Sequence, residues 1–361
     1  MEDTILEVRH FVKLHYDINV KVVKKVTSYI DENYILTTDT EKTYLLKVIT
    51  VKDNDDIRTQ KAIADVMIRL GSAGFNLPVR LAANNGSTSI LCPFGKSKLS
   101  FLVLQTFLQG SLLDDIICGE KDMVNLIFEC GQKLAAIARH FKVVNTEASK
   151  DIQKVIIHLI LQGEVLSHLS RPKSEWNLLQ VDLYRHYVAE LNDQIREHCQ
   201  NAIHTFATMV VPKLSSFQSG FIHADGNACN FIVSPKEIGW KITGVIDFGD
   251  SCTSYYIVDV ATLLTYMMQK AQSSNLDIHE VAKHAYQGYI NVLPLNQDEI
   301  AVLDLVVAAR LAQSISIGSH MIKLEPEKSH LIGQSIKPCS EILTKLSSIS
   351  RKQIRELWAI S

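Results

Sequence analysis

The chain has 361 residues, a net charge of −2 and an isoelectric point near 6.7. Hydrophobic residues make up 47% of it and charged residues 21%, the mixture of an ordinary globular protein. This charge balance excludes the basic surface that nucleic acids or anionic membranes require, and no run of 18 apolar residues indicates a membrane span. The length suits two domains of ordinary size.

The cysteines and the N-terminus indicate the compartment. Seven cysteines are scattered along the chain, odd in number and never spaced as C-x-x-C. This pattern favours reduced thiols over a disulfide framework or a zinc site. The first residues, MEDTILEVRHFVKLHYDI, are charged and lack the pattern of a secretory signal. We therefore expect a cytoplasmic protein.

The first hundred residues alternate as strands do. The runs VKVVKKVTSYI, ENYILTTD and TYLLKVITV are rich in β-branched and aromatic residues and are separated by polar turns. A helical pattern follows over 56–75, and two more strand-like runs lie near 88–91 and 99–107. The N-terminal part is predicted to be an antiparallel sheet of about five strands with one helix.

Helical patterns dominate after residue 107. Short strand-like pieces, GFI, NFIV and WKITGVI, interrupt them over 220–247. The pattern predicts an α+β fold with a β-rich lobe over 1–107 and a mostly helical lobe over 108–361. The helices are expected over 123–139, 151–168, 181–213, 255–272, 279–292, 298–321 and 329–347.

Two polar stretches of the second lobe have residues typical of phosphoryl transfer. FIHADGNACNFIV contains H-x-D-x-x-x-x-N as His223, Asp225 and Asn230, and KITGVIDFGD contains Asp247. Phosphoryl transfer needs metal on the phosphates and a carboxylate facing the attacking hydroxyl, and Mg²⁺ prefers oxygen ligands. Asn230 and Asp247 lie at strand ends of one predicted hairpin and are the candidate metal ligands. Asp225 is the candidate base, and His223 the residue that organises its loop.

The first lobe offers candidate nucleotide-binding residues. Lys47 lies on the third predicted strand, where a kinase places a lysine for the α- and β-phosphates. No glycine-rich loop precedes it, so Ser28 and Asn33 are the candidates for covering phosphate, with Asp31 and Glu32 turned away. The helix after Lys47 contains no obvious glutamate to pair with it. The hinge stretch TFLQG adds Thr106 and Leu108 as nucleotide-binding candidates.

The acceptor is predicted to be a small molecule. The sequence after Asp247-Phe248-Gly249 runs directly into the apolar helix IVDVATLLTYMM, which leaves no room for a peptide-binding platform. The roughly 110 residues between the hinge and His223 suit a helical insertion that walls a small pocket. Asp259 on the apolar helix is expected to accept hydrogen bonds from amides of the loop that contains Asp225.

These residues together resemble the aminoglycoside phosphotransferase superfamily of small-molecule kinases, most closely its hydroxylysine kinase branch. The likeness covers most of the chain and rests on SYIDENYIL, TYLLKV, TFLQG, EWNL, FIHADGNACNFIV and VIDFGD followed by SYYIVDVATLLTYMM. It implies a protein-kinase-like two-lobe fold, Mg²⁺, GTP or ATP as donor, and a hydroxylated amino acid, 5-hydroxy-L-lysine, as acceptor. It also implies that Asp225 accepts the proton, Asn230 and Asp247 bind metal, and Lys47 binds phosphate.

One departure leaves alternatives open. The family usually has His-Gly-Asp, whereas this chain has Ala224 between the His and the Asp. A glycine there suits a positive φ, which alanine resists, and the sequence does not reveal the sign of φ. The alternatives are a kinase for choline, ethanolamine, homoserine or a methylthioribose-type sugar, or a non-catalytic kinase-like binding module. An amino-acid acceptor would need a carboxylate for its ammonium group and a cation for its α-carboxylate. Arg310 and Gln313 on a late predicted helix, and Trp176, have suitable side chains, but no motif assigns them these roles.

Overall fold

The computed structural model describes residues 2–26, 31–95, 97–142, 165–170 and 174–360. The chain divides into two compact units, Met1–Gln109 and Gly110–Ser361. Candidate residue Ser28 and nearly all of the helix expected over 151–168 lie outside the described residues. The α+β prediction is confirmed, because the first unit is built on an antiparallel sheet and the second is mostly helical.

The sheet of the first unit has five antiparallel strands in the order β1-β2-β3-β5-β4. Its strands follow the predicted runs closely, since β-branched residues and period-two burial were both visible in the sequence. The elements are α1 (Glu2–Tyr16), β1 (Val20–Val26), β2 (Glu32–Thr38), β3 (Thr43–Thr50), α2 (Asn54–Ser72), β4 (Ile90–Phe94) and β5 (Ser97–Thr106).

The expectation of a single helix in this unit was wrong, because α1 is a second one. Val8, Phe11, Val12 and Tyr16 recur at helical spacing and are all buried. They share one hydrophobic core with the inward residues of β2, β3 and β5. The signal was present in the sequence as an apolar stripe, although the segment is polar on average.

The alternation of side chains along β3 decides which face of the sheet carries Lys47. Leu46 and Val48 on β3 point into the core shared with α1, so Lys47 between them lies on the opposite face of the sheet. In the β2–β3 register Lys47 is directly paired with Asn33. The two side chains are therefore neighbours on the same face.

The second unit combines helices with two small sheets. Four predicted helices agree with described ones within three residues at each end: Glu120–Phe141, Tyr256–Ser273, Ile278–Ile290 and Ser329–Ser347. The described elements are β6 (Ser111–Leu112), α3 (Glu120–Phe141), α4 (Val181–Tyr184), α5 (Asp193–Thr205), β7 (Ser219–Ile222), β8 (Phe231–Pro235), β9 (Trp240–Val245), β10 (Cys252–Tyr255), α6 (Tyr256–Ser273), α7 (Ile278–Ile290), α8 (Gln297–Ile300), α9 (Leu303–Leu324), α10 (Ser329–Ser347) and α11 (Arg351–Leu357).

Two of the predicted helices are broken. The stretch 181–213 divides because Asn192 caps a new helix that begins at Asp193, with its side chain accepting from the Ile195 N–H. Pro212 lies in a final 3₁₀ segment, Val211–Ser216. The stretch 298–321 divides because Asn296 and Glu299 form a capping box that starts the one-turn α8, after which Val302 leaves helical geometry. Polar caps inside an amphipathic pattern decided both breaks.

Helix α9 has the length and apolar composition of a membrane span, but most of it is buried inside the protein. Arg310 and Gln313 lie in its buried portion, so its apolar character is that of a core helix.

Two antiparallel strand pairs bring the two polar stretches together. Strand β7 pairs with β10, with Ile222 opposite Cys252, and β8 pairs with β9, with Phe231 opposite Val245. Residues 223–230 connect β7 to β8, and residues 246–251 connect β9 to β10. Because both connections run between the same two strand pairs, they must lie side by side.

The first of these connections is held in a strained turn. Ala224 has φ +64, in the left-handed region. Its N–H donates to Asp259 Oδ1 at 2.9 Å, as expected of Asp259, and this bond holds the turn against the cost of a Cβ in that region. Two residues on, a Cβ at Gly226 would come within 2.9 Å of the Leu263 backbone, so the loop packs closely on α6.

The φ of Ala224 predicts an unusual stability effect. Replacing Ala224 by glycine should stabilise the second unit by up to about 1 kcal/mol, because glycine removes the left-handed strain at some cost in unfolded-state entropy. The same change at Ala202, inside helix α5, should destabilise the unit by about 1 kcal/mol. Scanning calorimetry of both variants tests this. A fall in melting temperature for both would contradict the strain.

Candidate active site

His223 joins the two connections. Its side chain is fully buried, and its Nε2 donates to the carbonyl of Ile246 at 3.1 Å. Its Nδ1 accepts from the N–H of Asp225 at 3.3 Å, so the two bonds fit one neutral tautomer with the proton on Nε2. Burial lowers the pKa of His223, which keeps this tautomer neutral. The ring therefore fixes the loop around Asp225 instead of exchanging protons.

Asp225 and Asn230 are in direct contact. The Asn230 amide nitrogen donates to Asp225 Oδ2 at 2.6 Å and to the Asp225 carbonyl at 3.1 Å. With its nitrogen turned to Asp225, Asn230 presents its amide oxygen as the atom able to bind a cation. The N–H of Ile246 donates to the Asn230 carbonyl at 2.9 Å, which fixes Asn230 to the connection that contains Asp247.

Asp247 lies at the turn after β9 with φ 57 and ψ 72, a left-handed conformation that Asp and Asn tolerate better than most residues. Its Oδ1 accepts from the Gly249 N–H at 3.3 Å. Asp225 on one connection and Asp247 and Asp250 on the other place three carboxylates on these adjoining loops. Burial raises the pKa of Asp225 to about 7, with the charges of Asp250 and Asp247 adding to the rise.

These groups suit a hard divalent cation. The carboxylates of Asp225, Asp247 and Asp250 and the amide oxygen of Asn230 are oxygen donors, the kind of ligand that Mg²⁺ prefers. Burial is the main cause of the raised pKa of Asp225, and a cation would offset the further rise that the charges of Asp250 and Asp247 cause. Mg²⁺ usually takes one or two protein ligands together with phosphates and water, so the donor set fits a metal bound with a nucleotide.

In the first unit the structure pairs Lys47 with an unexpected partner. Lys47 Nζ lies 3.5 Å from Asp31 Oδ2, and both side chains are largely buried. That Asp31 and Glu32 point away from the phosphate stays a prediction; Asp31 lies on the side of Lys47, whereas Glu32 turns toward Lys25 and Tyr34. Alternation along β2 explains this, since Glu32 shares the face of Tyr34 and Asp31 that of Asn33.

The remaining nucleotide-binding candidates are placed as follows. Asn33 lies beside Lys47, and its Oδ1 is buried without a hydrogen-bond partner among the described residues. Thr106 ends β5, and its Oγ1 accepts from the Val79 N–H at 2.9 Å, so its hydroxyl already has a structural partner. Leu108 follows it and is half-buried. The roles of these residues stay predictions.

The sequence did not predict that Arg310 is buried, and no motif assigned it to the site. Arg310 on α9 is 4% exposed and donates to Gln313 and Tyr266. Its guanidinium lies 5.1 Å from the centre of the Trp176 ring. The sequence signal for this buried cation is a single arginine within the apolar stretch LDLVVAARLAQSISI. Sequence alone does not reveal which residues surround it.

Known proteins provide a comparison for this architecture. The sequence model of the phosphotransferase enzyme family matches residues 22–290. A hydroxylysine kinase of Bos taurus is 25% identical, covering 95% of this chain and 89% of its own length, and one of Danio rerio is 23% identical over 98% and 94%.

Solved structures show the same fold. An amicoumacin kinase in complex with AMP-PNP superposes with a TM-score of 0.61 at 15% identity, covering 93% of each chain. A microcompartment-associated aminopropanol kinase reaches 0.58 at 15% identity, over 95% of this chain and 98% of its own. The family match over most of the chain, with the fold and paired polar loops described above, shows that this chain belongs to the phosphotransferase enzyme family and has the fold of its small-molecule kinases.

Proposed function

We propose that this protein transfers the γ-phosphoryl group of GTP or ATP to the hydroxyl of 5-hydroxy-L-lysine. The observation that carries the proposal is the contact between Asp225 and Asn230, set beside Asp247 by the paired strands. The likeness to hydroxylysine kinases along nearly the whole chain supports the choice of acceptor.

Asp225 would accept the proton of the acceptor hydroxyl. The hydroxyl oxygen forms a bond to the γ-phosphorus as the bond from phosphorus to the leaving oxygen of the nucleoside diphosphate breaks, and the hydroxyl proton passes to Asp225 Oδ. A base works best with a pKa near the working pH, and burial raises the pKa of Asp225 to about 7. Asn230 holds one carboxylate oxygen and so orients the other.

Asn230 and Asp247 would bind Mg²⁺, which neutralises the charge of the phosphates when bound. Both residues lie at the open end of one β-hairpin, where Phe231 pairs with Val245, so the paired strands hold them near each other. Lys47 would bind the α- and β-phosphates, and Asp31 would hold its ammonium group in place of a helix glutamate.

The proposed phosphoryl donor is GTP or ATP. Among structures of the same fold, one was solved with AMP-PNP and another, an aminoglycoside 2'-phosphotransferase-IIIa mutant with a TM-score of 0.58, with GDP. We favour GTP because the sequence signatures resemble those of the hydroxylysine kinase branch. The binding-module alternative is disfavoured, because Ala224 keeps its hydrogen bond to Asp259 and leaves the loop intact.

The role of Asp225 predicts a specific kinetic defect. Asp225→Asn keeps the shape of the side chain but removes the proton acceptor, so kcat should fall at least about a hundredfold while nucleotide affinity changes little. Steady-state rates and a nucleotide titration measure the two quantities. Asp182→Asn, at a carboxylate whose side chain is 90% exposed, should leave both unchanged. Near-normal turnover in the Asp225 variant would exclude it as the base.

The role of Asp247 is tested best by asparagine, because asparagine tolerates the left-handed φ and can still accept from Gly249. Asp247→Asn removes only the charge, and Asp247→Ala removes the ligand as well. We expect both to lose activity and to weaken nucleotide binding in the presence of Mg²⁺, with the alanine variant the more severe. Calorimetric titration with and without Mg²⁺ measures this, and an undiminished Mg²⁺ effect would count against the ligand assignment.

The acceptor prediction is tested by a screen with Mg²⁺ and either GTP or ATP. Hydroxylysine should be converted to its O-phosphate, and lysine should not react because it has no hydroxyl. Choline, ethanolamine, homoserine and methylthioribose are the competing acceptors. Phosphate incorporation followed by mass spectrometry separates the products. Faster turnover of choline or a sugar would mean that hydroxylysine is the wrong acceptor, although the phosphotransferase activity would stand.

A further inference from the structure

Helix α9 carries a cation buried among neutral partners. Arg310 Nη1 donates to Gln313 Oε1 at 2.5 Å, and Nη2 donates to the Tyr266 hydroxyl at 3.0 Å. Its Nε is buried and has no hydrogen-bond partner among the described residues. Burial alone lowers the pKa of Arg310, but Tyr266, Asp225 and Asp250 raise it overall, so the group stays charged. A buried charge whose direct partners are neutral is costly unless an anion completes its shell.

The guanidinium is held in one orientation. Its carbon lies 5.1 Å from the centre of the Trp176 ring and 5.5 Å from that of Tyr266, distances at which an aromatic face attracts a cation. Gln313 in turn donates to the Glu175 carbonyl at 2.7 Å, which ties the segment of Trp176 to α9. A planar fork fixed in this way is prepared for a planar anion.

Helix α6 connects this cation to the loop that contains Asp225. Asp259, which holds the Ala224 amide, and Tyr266, which accepts from Arg310, are seven residues apart on α6 and so lie on one face, two turns apart. Helix α6 therefore contacts both the turn before Asp225 and the guanidinium of Arg310.

We propose that Arg310, between Trp176 and Tyr266, binds the α-carboxylate of the acceptor. The inference rests on the proposed function only in taking the acceptor to be a hydroxylated amino acid. A carboxylate matches the guanidinium fork in shape and supplies the negative charge that its directly bonded partners lack. Choline, ethanolamine and sugars lack this group and leave the guanidinium with neutral direct partners. Arg310 would thus decide between the acceptors that the sequence left open.

A purely structural role makes a different prediction. If Arg310 serves only as a counter-charge for Asp225 and Asp250, its loss disturbs the base and slows every acceptor to the same degree. If Arg310 binds the carboxylate, its loss harms only acceptors that have one. Pairs of acceptors that differ in the α-carboxylate alone separate the two roles.

The experiment therefore uses two such pairs: hydroxylysine with its decarboxylated diamino alcohol, and homoserine with aminopropanol. Calorimetry in the presence of Mg²⁺ and a non-hydrolysable nucleotide gives Kd, and initial rates give kcat/KM. In the unmodified protein the carboxylate-bearing member should be preferred by about 10- to 100-fold, the range of a hydrogen bond to a charged group. In Arg310→Met this preference should fall to near unity, with the decarboxylated member little affected.

Two further variants distinguish the loss of a carboxylate site from misfolding of the protein. Gln313→Glu keeps Arg310 and places a carboxylate beside it, so it should also abolish the preference without removing the guanidinium. Arg355→Gln removes a guanidinium from α11, where Arg355 donates to the Ile300 carbonyl, and should keep the preference.

The outcomes of the two proposals differ. Equal binding of both members of each pair by the unmodified protein, or an equal loss for both in Arg310→Met, would overturn the carboxylate site. Preference for homoserine over aminopropanol, without turnover of hydroxylysine, would refute the proposed acceptor and support the carboxylate site. Binding of no member of either pair would refute both.

Discussion

One buried carboxylate supports the geometry of the candidate site. Asp259 is inaccessible to solvent, and its two oxygens accept from the Ala224 N–H and the Tyr289 hydroxyl. Burial raises the pKa of Asp259 to about 6, and these two donors oppose the rise. Because the bond to Ala224 holds a left-handed turn, it sets the direction in which Asp225 leaves the loop. The Asp225 N–H, which donates to His223 Nδ1, holds the other side of the same turn.

The charges of the second unit are arranged around this anchor. The carboxylates of Asp225, Asp247 and Asp250 lie on the two connections between paired strands. Arg310 is a buried cation whose charge opposes the rise in the pKa of Asp225. Like charges near one another are unfavourable in a folded protein unless a ligand offsets them. The arrangement is therefore typical of a site that binds metal and phosphate.

Much of the fold could be read from patterns. Strand β2 alternates with period two, β3 is rich in apolar and β-branched residues, and the first three turns of α6 are mostly apolar, so these signals were strong. Helix α1 was missed because its apolar stripe lies in a segment that is polar on average. The breaks in the 181–213 and 298–321 helices were missed because caps such as Asn192 and Asn296 act locally inside a pattern that otherwise continues.

The sequence by itself determined which residues occupy the two polar connections and that a hairpin separates Asn230 from Asp247, because spacing and strand pattern are local properties. The tertiary structure decided the positive φ of Ala224, the pairing of Lys47 with Asp31, and the hydrogen bonds of Arg310 to Gln313 and Tyr266. The bond from Ala224 to Asp259 joins residues 35 positions apart, and that from Arg310 to Tyr266 residues 44 apart. Such contacts depend on how distant segments pack, and no local pattern encodes them.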